Sequence, residues 1–295
     1  MINKSGSSIA RLLRVGIFSA ITLAPAVGAA QGVSLATGLV DFDSWSLFGS
    51  ASVLNQTPGN GFIYSQLILT QGTGGEAGAG FAPDALFLNF NQSFSFDFHF
   101  FIPVSNGLRG DGMTFTLAGA PGVGFGGSGL GYGGLAPNSV AFAIDTFNFS
   151  GEPVSPSLQI LQDGSTNPLA VTETGLGDAI RDPDFQWYAK VLYTPSGNDD
   201  ETGTLEGTIE HLNLGTFSVS ALVNLSTLGQ ATAGGHFVFF GFTASNGAAT
   251  DQHHVTSAVA APVPVPAALW LLGSALGGLG VLRRRVGREA FATTA

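Results

Sequence analysis

The segment Phe94-Ser95-Phe96-Asp97-Phe98-His99-Phe100 carries a phenylalanine at every second position. Successive side chains of an extended strand point to opposite faces, so this period puts all four rings on one side and Ser95, Asp97 and His99 on the other. Such a row of rings needs a facing layer to bury it, which makes a second layer of structure obligatory. The alternation recurs in Met113-Thr114-Phe115-Thr116-Leu117, in Val140-Ala141-Phe142-Ala143-Ile144 and in Leu205-Glu206-Gly207-Thr208-Ile209. His236 to Phe242 is apolar throughout, the pattern of a strand covered on both faces. No intervening segment holds a helical period over three turns. Thr57-Pro58-Gly59-Asn60-Gly61, Asn106-Gly107, Asp163-Gly164 and Ser196-Gly197-Asn198 mark turns. Many short strands separated by Gly-rich turns predict an all-β sandwich or jelly roll of antiparallel sheets.

Composition narrows the function classes. Charged residues make up only 10% of the 295, while the chain holds 24 Phe and 43 Gly. That balance excludes a disordered acidic chain, which lacks apolar surface to bury, and a helix bundle or coiled coil. Few Lys and Arg exclude a nucleic-acid footprint. Cysteine is absent, so neither disulfides nor thiolate chemistry contribute.

The two ends read as addresses. Lys4, Arg11 and Arg14 precede an uncharged stretch from Val15 to Gly28, followed by Gly28-Ala29-Ala30. This is the layout of a secretory signal peptide over residues 1–30. At the other end, residues 259–266 form a Pro-rich linker, stiffened by the fixed φ of Pro262, Pro264 and Pro266. The uncharged run that follows leads into Arg283-Arg284-Arg285, predicting a transmembrane helix over 267–285 and a cytoplasmic tail over 286–295. Val263-Pro264-Val265-Pro266-Ala267-Ala268-Leu269-Trp270-Leu271-Leu272 with its Arg cluster resembles the PEP-CTERM sorting signal of Gram-negative bacteria, with Val265 at the usual Glu position. The resemblance implies recognition by an exosortase, removal of the tail, and a membrane stage before processing. Seven of the ten basic residues lie in these ends. Residues 31–258 keep Arg109, Arg181 and Lys190 against 19 carboxylates.

Two segments of the middle stand out chemically. Leu108-Arg109-Gly110-Asp111-Gly112 places a carboxylate at the mouth of a strand. Gly126-Gly127-Ser128-Gly129-Leu130-Gly131-Tyr132-Gly133-Gly134 is a bare-backbone loop running toward a strand that ends in Asp145. A carboxylate accepts two hydroxyl protons at once, and glycine lets a ligand approach backbone N–H groups. The arrangement suits a neutral polyhydroxylated ligand. Asp-Gly is also a common turn dipeptide, and on composition alone the turn reading leads.

Over most of residues 33–258 the order of segments resembles the legume-type (L-type) lectin domain in its bacterial form. The resemblance rests on Leu67 to Thr70, Ala77 to Phe81, the Phe-rich strand, Gly110-Asp111-Gly112, Gly129-Leu130-Gly131-Tyr132-Gly133-Gly134, Val140 to Phe147, and Phe240 to Val255. It implies a concanavalin-like jelly-roll sandwich whose edge loops bind sugar. It also implies ligand roles for Asp111, Gly127, Gly129, Asn148, Ser245, Asn246 and Gly247. The family often has a cis peptide before the Asp, here at Gly110. It holds Ca²⁺ and a transition metal beside the sugar. Asp145 and Phe147 match two of those ligand positions, but Ala143 stands at the Glu position, Phe149 at the Asn position, and Leu158-Gln159-Ile160 lacks the His. No transition-metal site is expected. Ca²⁺, which takes six to eight oxygens, is left open, with Glu152 as a substitute donor.

These features point to an exported, non-catalytic carbohydrate-binding protein of the cell surface or exopolysaccharide matrix. Its expected partner is a neutral glycan. A lectin-fold structural protein without sugar binding is the alternative. A glycoside hydrolase needs two carboxylates about 5–10 Å apart, and no Glu-x-Asp-x-x-Glu run is present; Glu206 and Glu210 share a face predicted to meet solvent. His253 and His254 read as structural, Trp187 and Tyr188 as core, and Asp199-Asp200-Glu201 as a solvated hairpin tip.

Overall fold

The computed structural model describes residues 41–56, 64–105, 107–182 and 186–262. The expected signal peptide, transmembrane segment and tail, and the turn signal at 57–61, lie outside the described residues. Among the described residues no helix is long and apolar enough to cross a membrane. The strands are β1 (Ser46–Gly49), β2 (Ser52–Gln56), β3 (Tyr64–Gln71), β4 (Ala77–Phe81), β5 (Leu86–Leu88), β6 (Phe94–Phe101), β7 (Gly112–Ala118) and β8 (Ser139–Asp145). They continue with β9 (Ser157–Gln162), β10 (Ala170–Glu173), β11 (Trp187–Pro195), β12 (Thr202–His211), β13 (Gly215–Asn224), β14 (Gln230–Thr232), β15 (Gly235–Ser245) and β16 (Gln252–Pro262). Helical structure among the described residues is limited to three short 3₁₀ turns.

The strands form two antiparallel sheets. One runs β1-β4-β15-β7-β8-β9-β10, with β5 and β14 paired to the outer half of β15; the other runs β13-β12-β11-β6-β16-β3-β2. The Phe-rich strand β6 lies at the centre of the second sheet, between β11 and β16. Phe94, Phe96, Phe98 and Phe100 all point into the layer between the sheets and are buried. There the ring of Phe96 meets Phe115 of β7 at 4.8 Å between centroids, and Phe98 meets Phe242 of β15 at 5.0 Å, edge to face. Each such ring contributes about 1.5–3 kcal/mol by leaving water, and these cross-layer pairs set which strands face one another. Ser95, Asp97 and His99 occupy the outer face, as the alternation requires.

The structure departs from the simple alternating pattern at β7 and β8, where every residue is buried. Phe142 and Ile144 enter the main core, while Ala141 and Ala143 on the reverse face join Leu161, Ala79 and Phe81 in a second apolar cluster. Leu130, Tyr132 and Leu135 from the Gly-rich loop close that cluster. The loop is held down by hydroxyls. Thr116, Thr114 and Thr243 form a buried chain with Oγ1 separations of 2.7 and 2.9 Å, and Thr243 donates to the Leu130 carbonyl at 2.7 Å. Tyr188 differs from its expected place. Trp187 is fully buried, but Tyr188 lies on the outer face, its hydroxyl donating to Asp97, because consecutive residues of β11 face opposite ways. β16 pairs with β6 as far as Pro262, so the first four residues expected as linker are strand.

Candidate functional site

Asp111 sits where the loop after Arg109 enters β7, and the glycines on either side are required there. At Gly112 φ is +134°, and a Cβ would approach the Ile144 carbonyl oxygen to 2.3 Å. At Gly110 a Cβ would come within 2.3 Å of Asn246 Oδ1. The Gly-Asp-Gly spacing is therefore more than a turn: it lets the chain pass between β8 and the loop after β15 with the carboxylate at the junction. The Gly110–Asp111 peptide is trans; among the described residues the cis bond is Ser155–Pro156.

Three loops meet at Asp111. Gly247 donates its N–H to Asp111 Oδ2, and Thr146 donates its N–H to the Asp111 carbonyl at 2.9 Å. Gly127 donates to the Asn246 carbonyl at 3.3 Å, and Ser245 Oγ donates to the Gly127 carbonyl at 2.5 Å. The structure thus brings together Asp111, Gly127, Ser245, Asn246 and Gly247. Their roles differ, however. Asn246 is fully buried, its Nδ2 donating to Glu76 Oε1 and to the Asp251 carbonyl, both at 2.8 Å, while its Oδ1 accepts from the Asp251 N–H at 3.0 Å. It ties loops together instead of facing a ligand. Ser245 is likewise buried beneath Gly127. Gly129 ends the 3₁₀ turn Gly127–Gly129, where a Cβ would press on Phe125 at 2.9 Å; it shapes the loop and stays buried. The residues left at the mouth are Asp111, Gly127 and Gly247.

Asp145 lies opposite Gly112 in the register, at the end of β8. Its Oδ1 accepts from Ser155 Oγ at 2.8 Å and from the Phe147 N–H at 3.2 Å, and its Oδ2 accepts from Gln159 Nε2 at 2.8 Å. The resemblance implies a ligand role for Asn148, which the structure does not place toward Asp111. The strand stops at Asp145, and Asn148 instead uses its Nδ2 to donate to the Glu152 and Pro153 carbonyls at 3.1 and 2.7 Å. Glu152 Oε2 accepts from the Phe149 N–H at 2.7 Å. Burial, helped by the negative charge of Glu152, pushes the carboxyls of Asp111 and Asp145 up to about 6 and about 7.

The residues present do not suit the metal pair that the resemblance implies. Ala143 is fully buried with a side chain that offers no lone pair, Phe149 is exposed at 59%, and Gln159 turns its donor toward Asp145. Among the described residues no three His, Cys, Asp or Glu side chains gather as a metal-holding group.

A second set of residues carried no sequence signal. Arg109 donates from Nε to the Thr146 carbonyl at 2.6 Å and pairs with Asp178 at 2.8 Å. Asp178 also pairs with Arg181 at 2.9 Å, and the buried Arg181 pairs with Asp251 at 3.2 Å. Asp251 Oδ2 in turn accepts the Gly110 N–H at 2.9 Å. This relay anchors both loops that carry the acids, and all its links but Asp178–Arg181 join residues 37 to 141 positions apart, which local pattern cannot reveal. The remaining candidates are structural. His253 is fully buried against Thr70 Oγ1 at 2.7 Å, His254 packs on Phe101, and Glu201 pairs with His236 at 3.0 Å.

No family model matches the chain, and no curated protein matches it by sequence. By fold it is similar to solved lectins. Lectin I-B4 from Griffonia simplicifolia in its metal-free form shares 20% identity over 75% of this chain and 94% of that chain, with a TM-score of 0.57. Basic winged bean lectin with Tn-antigen shares 20% identity over 77% of this chain and 96% of that chain, with a TM-score of 0.59. The exoplasmic/lumenal domain of VIP36 in its Ca²⁺/Man-bound form shares 18% identity over 75% and 84%, with a TM-score of 0.52. At such identities the likeness establishes the fold: a two-sheet antiparallel jelly roll of the legume-type lectin kind.

Proposed function

We propose that this chain is an exported, non-catalytic carbohydrate-binding protein whose ligand seats on Asp111. The observation that carries this reading is the Asp111 carboxylate itself, nearly buried, anchored by the Gly247 N–H, and placed where three loops meet at one end of the larger sheet. A carboxylate has about four acceptor sites; the Gly247 N–H takes one, and adjacent hydroxyls of a pyranose are matched to the others. Gly127 and Gly247 keep the mouth free of side chains, so a sugar ring can approach the backbone. The fold supports the reading, because structures sharing it include a Bauhinia forficata lectin in complex with GalNAc, winged bean lectin with Tn-antigen, and VIP36 with mannose. Export, exosortase sorting from a transient membrane-anchored form, and residence at a Gram-negative cell surface or in its exopolysaccharide matrix are supported by the sequence of the two ends.

The test is a glycan array probed with wild type and with Asp111→Ala, in Ca²⁺ and in chelator. Binding to neutral glycans that falls at least about tenfold in the variant, a loss of about 1.4 kcal/mol, is the expected result. A second reading, a structural matrix protein on this fold without sugar binding, is favoured by Ala143, Phe149 and Gln159 at the positions where metal ligands would stand. An array blank in both buffers decides for it. An enzyme is disfavoured: Glu206 and Glu210 lie on the outer face of the smaller sheet, away from the loops around Asp111.

A further inference from the structure

The segment 145–156 lies beside Asp111, where the Thr146 N–H donates to the Asp111 carbonyl, and the hydrogen bonds that orient it come from donors of this chain itself. Gln159 is the cross-strand partner of Ala143, and its Nε2 reaches diagonally to Asp145 Oδ2 at 2.8 Å and to Ser157 Oγ at 3.0 Å. Ser155 Oγ holds the other carboxylate oxygen at 2.8 Å. A cation would need those same lone pairs, together with further oxygens that Ala143 and Phe149 do not offer. From outside, Arg109 grips the two ends of the segment, with Nε on the Thr146 carbonyl at 2.6 Å and a terminal nitrogen on the Ser155 carbonyl at 3.5 Å. Asn148 closes the segment on itself through Glu152 and Pro153.

We propose that Gln159, Ser155 and Arg109 are positioning residues that hold segment 145–156 beside Asp111 without a divalent cation, so that ligand binding by this chain is insensitive to chelators. The proposal rests on the reading of Asp111 as the ligand-binding carboxylate, and it departs from the metal-held arrangement that the resemblance implies. Ser155 and Gln159 supply O–H and N–H groups to the carboxylate, and the guanidinium of Arg109 supplies the bridging charge from a covalently attached side chain. The segment is therefore assembled on folding and has no loading step.

The experiment has three arms on the full domain. Thermal unfolding and calorimetric titration are run in chelator and with millimolar Ca²⁺ or Mn²⁺; the expected melting temperatures agree to about 1 °C, with no saturable heat. A rise of roughly 5 °C or more with stoichiometric heat overturns the proposal. Next, Ser155→Thr, which keeps the hydroxyl, is compared with Ser155→Ala and with Gln159→Met, which keeps volume but loses the donor. Glycan binding is expected to persist in the first and to fall at least about tenfold in the other two; wild-type binding in all three overturns the positioning role. The third arm reads hydrogen exchange at the Phe147 amide, which Gln159→Met accelerates if the cluster orders the segment and leaves unchanged if it does not. Should wild type bind no glycan in any buffer, the reading of Asp111 fails, while the metal and exchange arms still decide this proposal.

Discussion

Burial shifts three carboxyls of this domain, Asp111, Asp145 and Asp251, upward and three imidazoles, His99, His253 and His254, downward, and the two kinds respond to acid in opposite senses. Burial raises Asp111 to about 6 and Asp145 to about 7, from an ordinary 3.8. Between pH 3.8 and those values the folded state holds protons that the unfolded chain has released, so stability falls as pH rises. Burial lowers His253 to about 3 and His254 to about 4, from an ordinary 6.5. Below 6.5 the unfolded chain takes up protons that the folded state refuses, so these two groups cost stability as pH falls. From about pH 4 to 6 the slopes of Asp111 and Asp145 oppose those of His253 and His254, the raised Asp251 opposes the lowered His99, and the wild-type melting temperature is expected to change little. Asp111→Asn removes one carboxyl and unmasks the histidines. Between pH 6 and 4 its melting temperature should fall by roughly 3–6 °C more than that of wild type, and above pH 6 it should be the more stable protein. Superimposable profiles by scanning calorimetry contradict the assignment. At this scale the sequence singled out Asp111 because the flanking Gly110 and Gly112 are visible locally, and the resemblance alone added Gly127 and Gly247. It did not separate them from Asn246, whose buried side chain bonds to Glu76 and Asp251 are a matter of three-dimensional contact.

Gly207 shows how a strand is shaped by the sheet it faces. It lies on the inner face of β12, and a Cβ there would stand 2.0 Å from the ring of Phe142, itself fully buried in β8 of the other sheet. Neither strand can yield, since both are paired on two sides. Gly207→Ala therefore overpacks the core and should destabilise by about 2–3 kcal/mol in urea unfolding with an unchanged slope. Ser218→Ala, on the exposed face of neighbouring β13, serves as the control and should stay within about 0.5 kcal/mol. A variant at 207 as stable as the control would mean that the sheets do not meet there. Period-two patterning exposed β6 and β12 directly, because each has one wet face. It underread β7 and β8. Their second face carries Ala and Thr, residues that look solvent-compatible, and it is buried only because Leu130, Tyr132 and Leu135 return over it from a loop that has no periodicity of its own. The arginine relay was invisible for the same reason.

The whole domain is strongly acidic, and its few cations do not offset this. Of its three basic residues, Arg109 and Arg181 are engaged with Asp178 and Asp251, leaving Lys190 alone against the remaining carboxylates of residues 31–258. Mutual repulsion of surface charge destabilises a compact state, and its range is set by salt: the screening length is about 30 Å at 0.01 M and about 3 Å at 1 M. A domain held by surface ion pairs loses stability as salt is added. This one should gain, its melting temperature climbing by several degrees between low and high NaCl and levelling once the screening length drops below the spacing of the carboxylates. The same field acts on ligands. A neutral glycan reaching Asp111 crosses no electrostatic barrier, so its association rate should be nearly independent of salt. A uronate-rich polysaccharide is repelled, and any association with it should speed up as NaCl rises. Surface plasmon resonance on one neutral and one anionic polymer across that salt range separates the two. If the anionic polymer bound faster at low salt, the ligand would have to meet a local positive patch, and Arg109 and Lys190 are the exposed or part-exposed cations that could supply it.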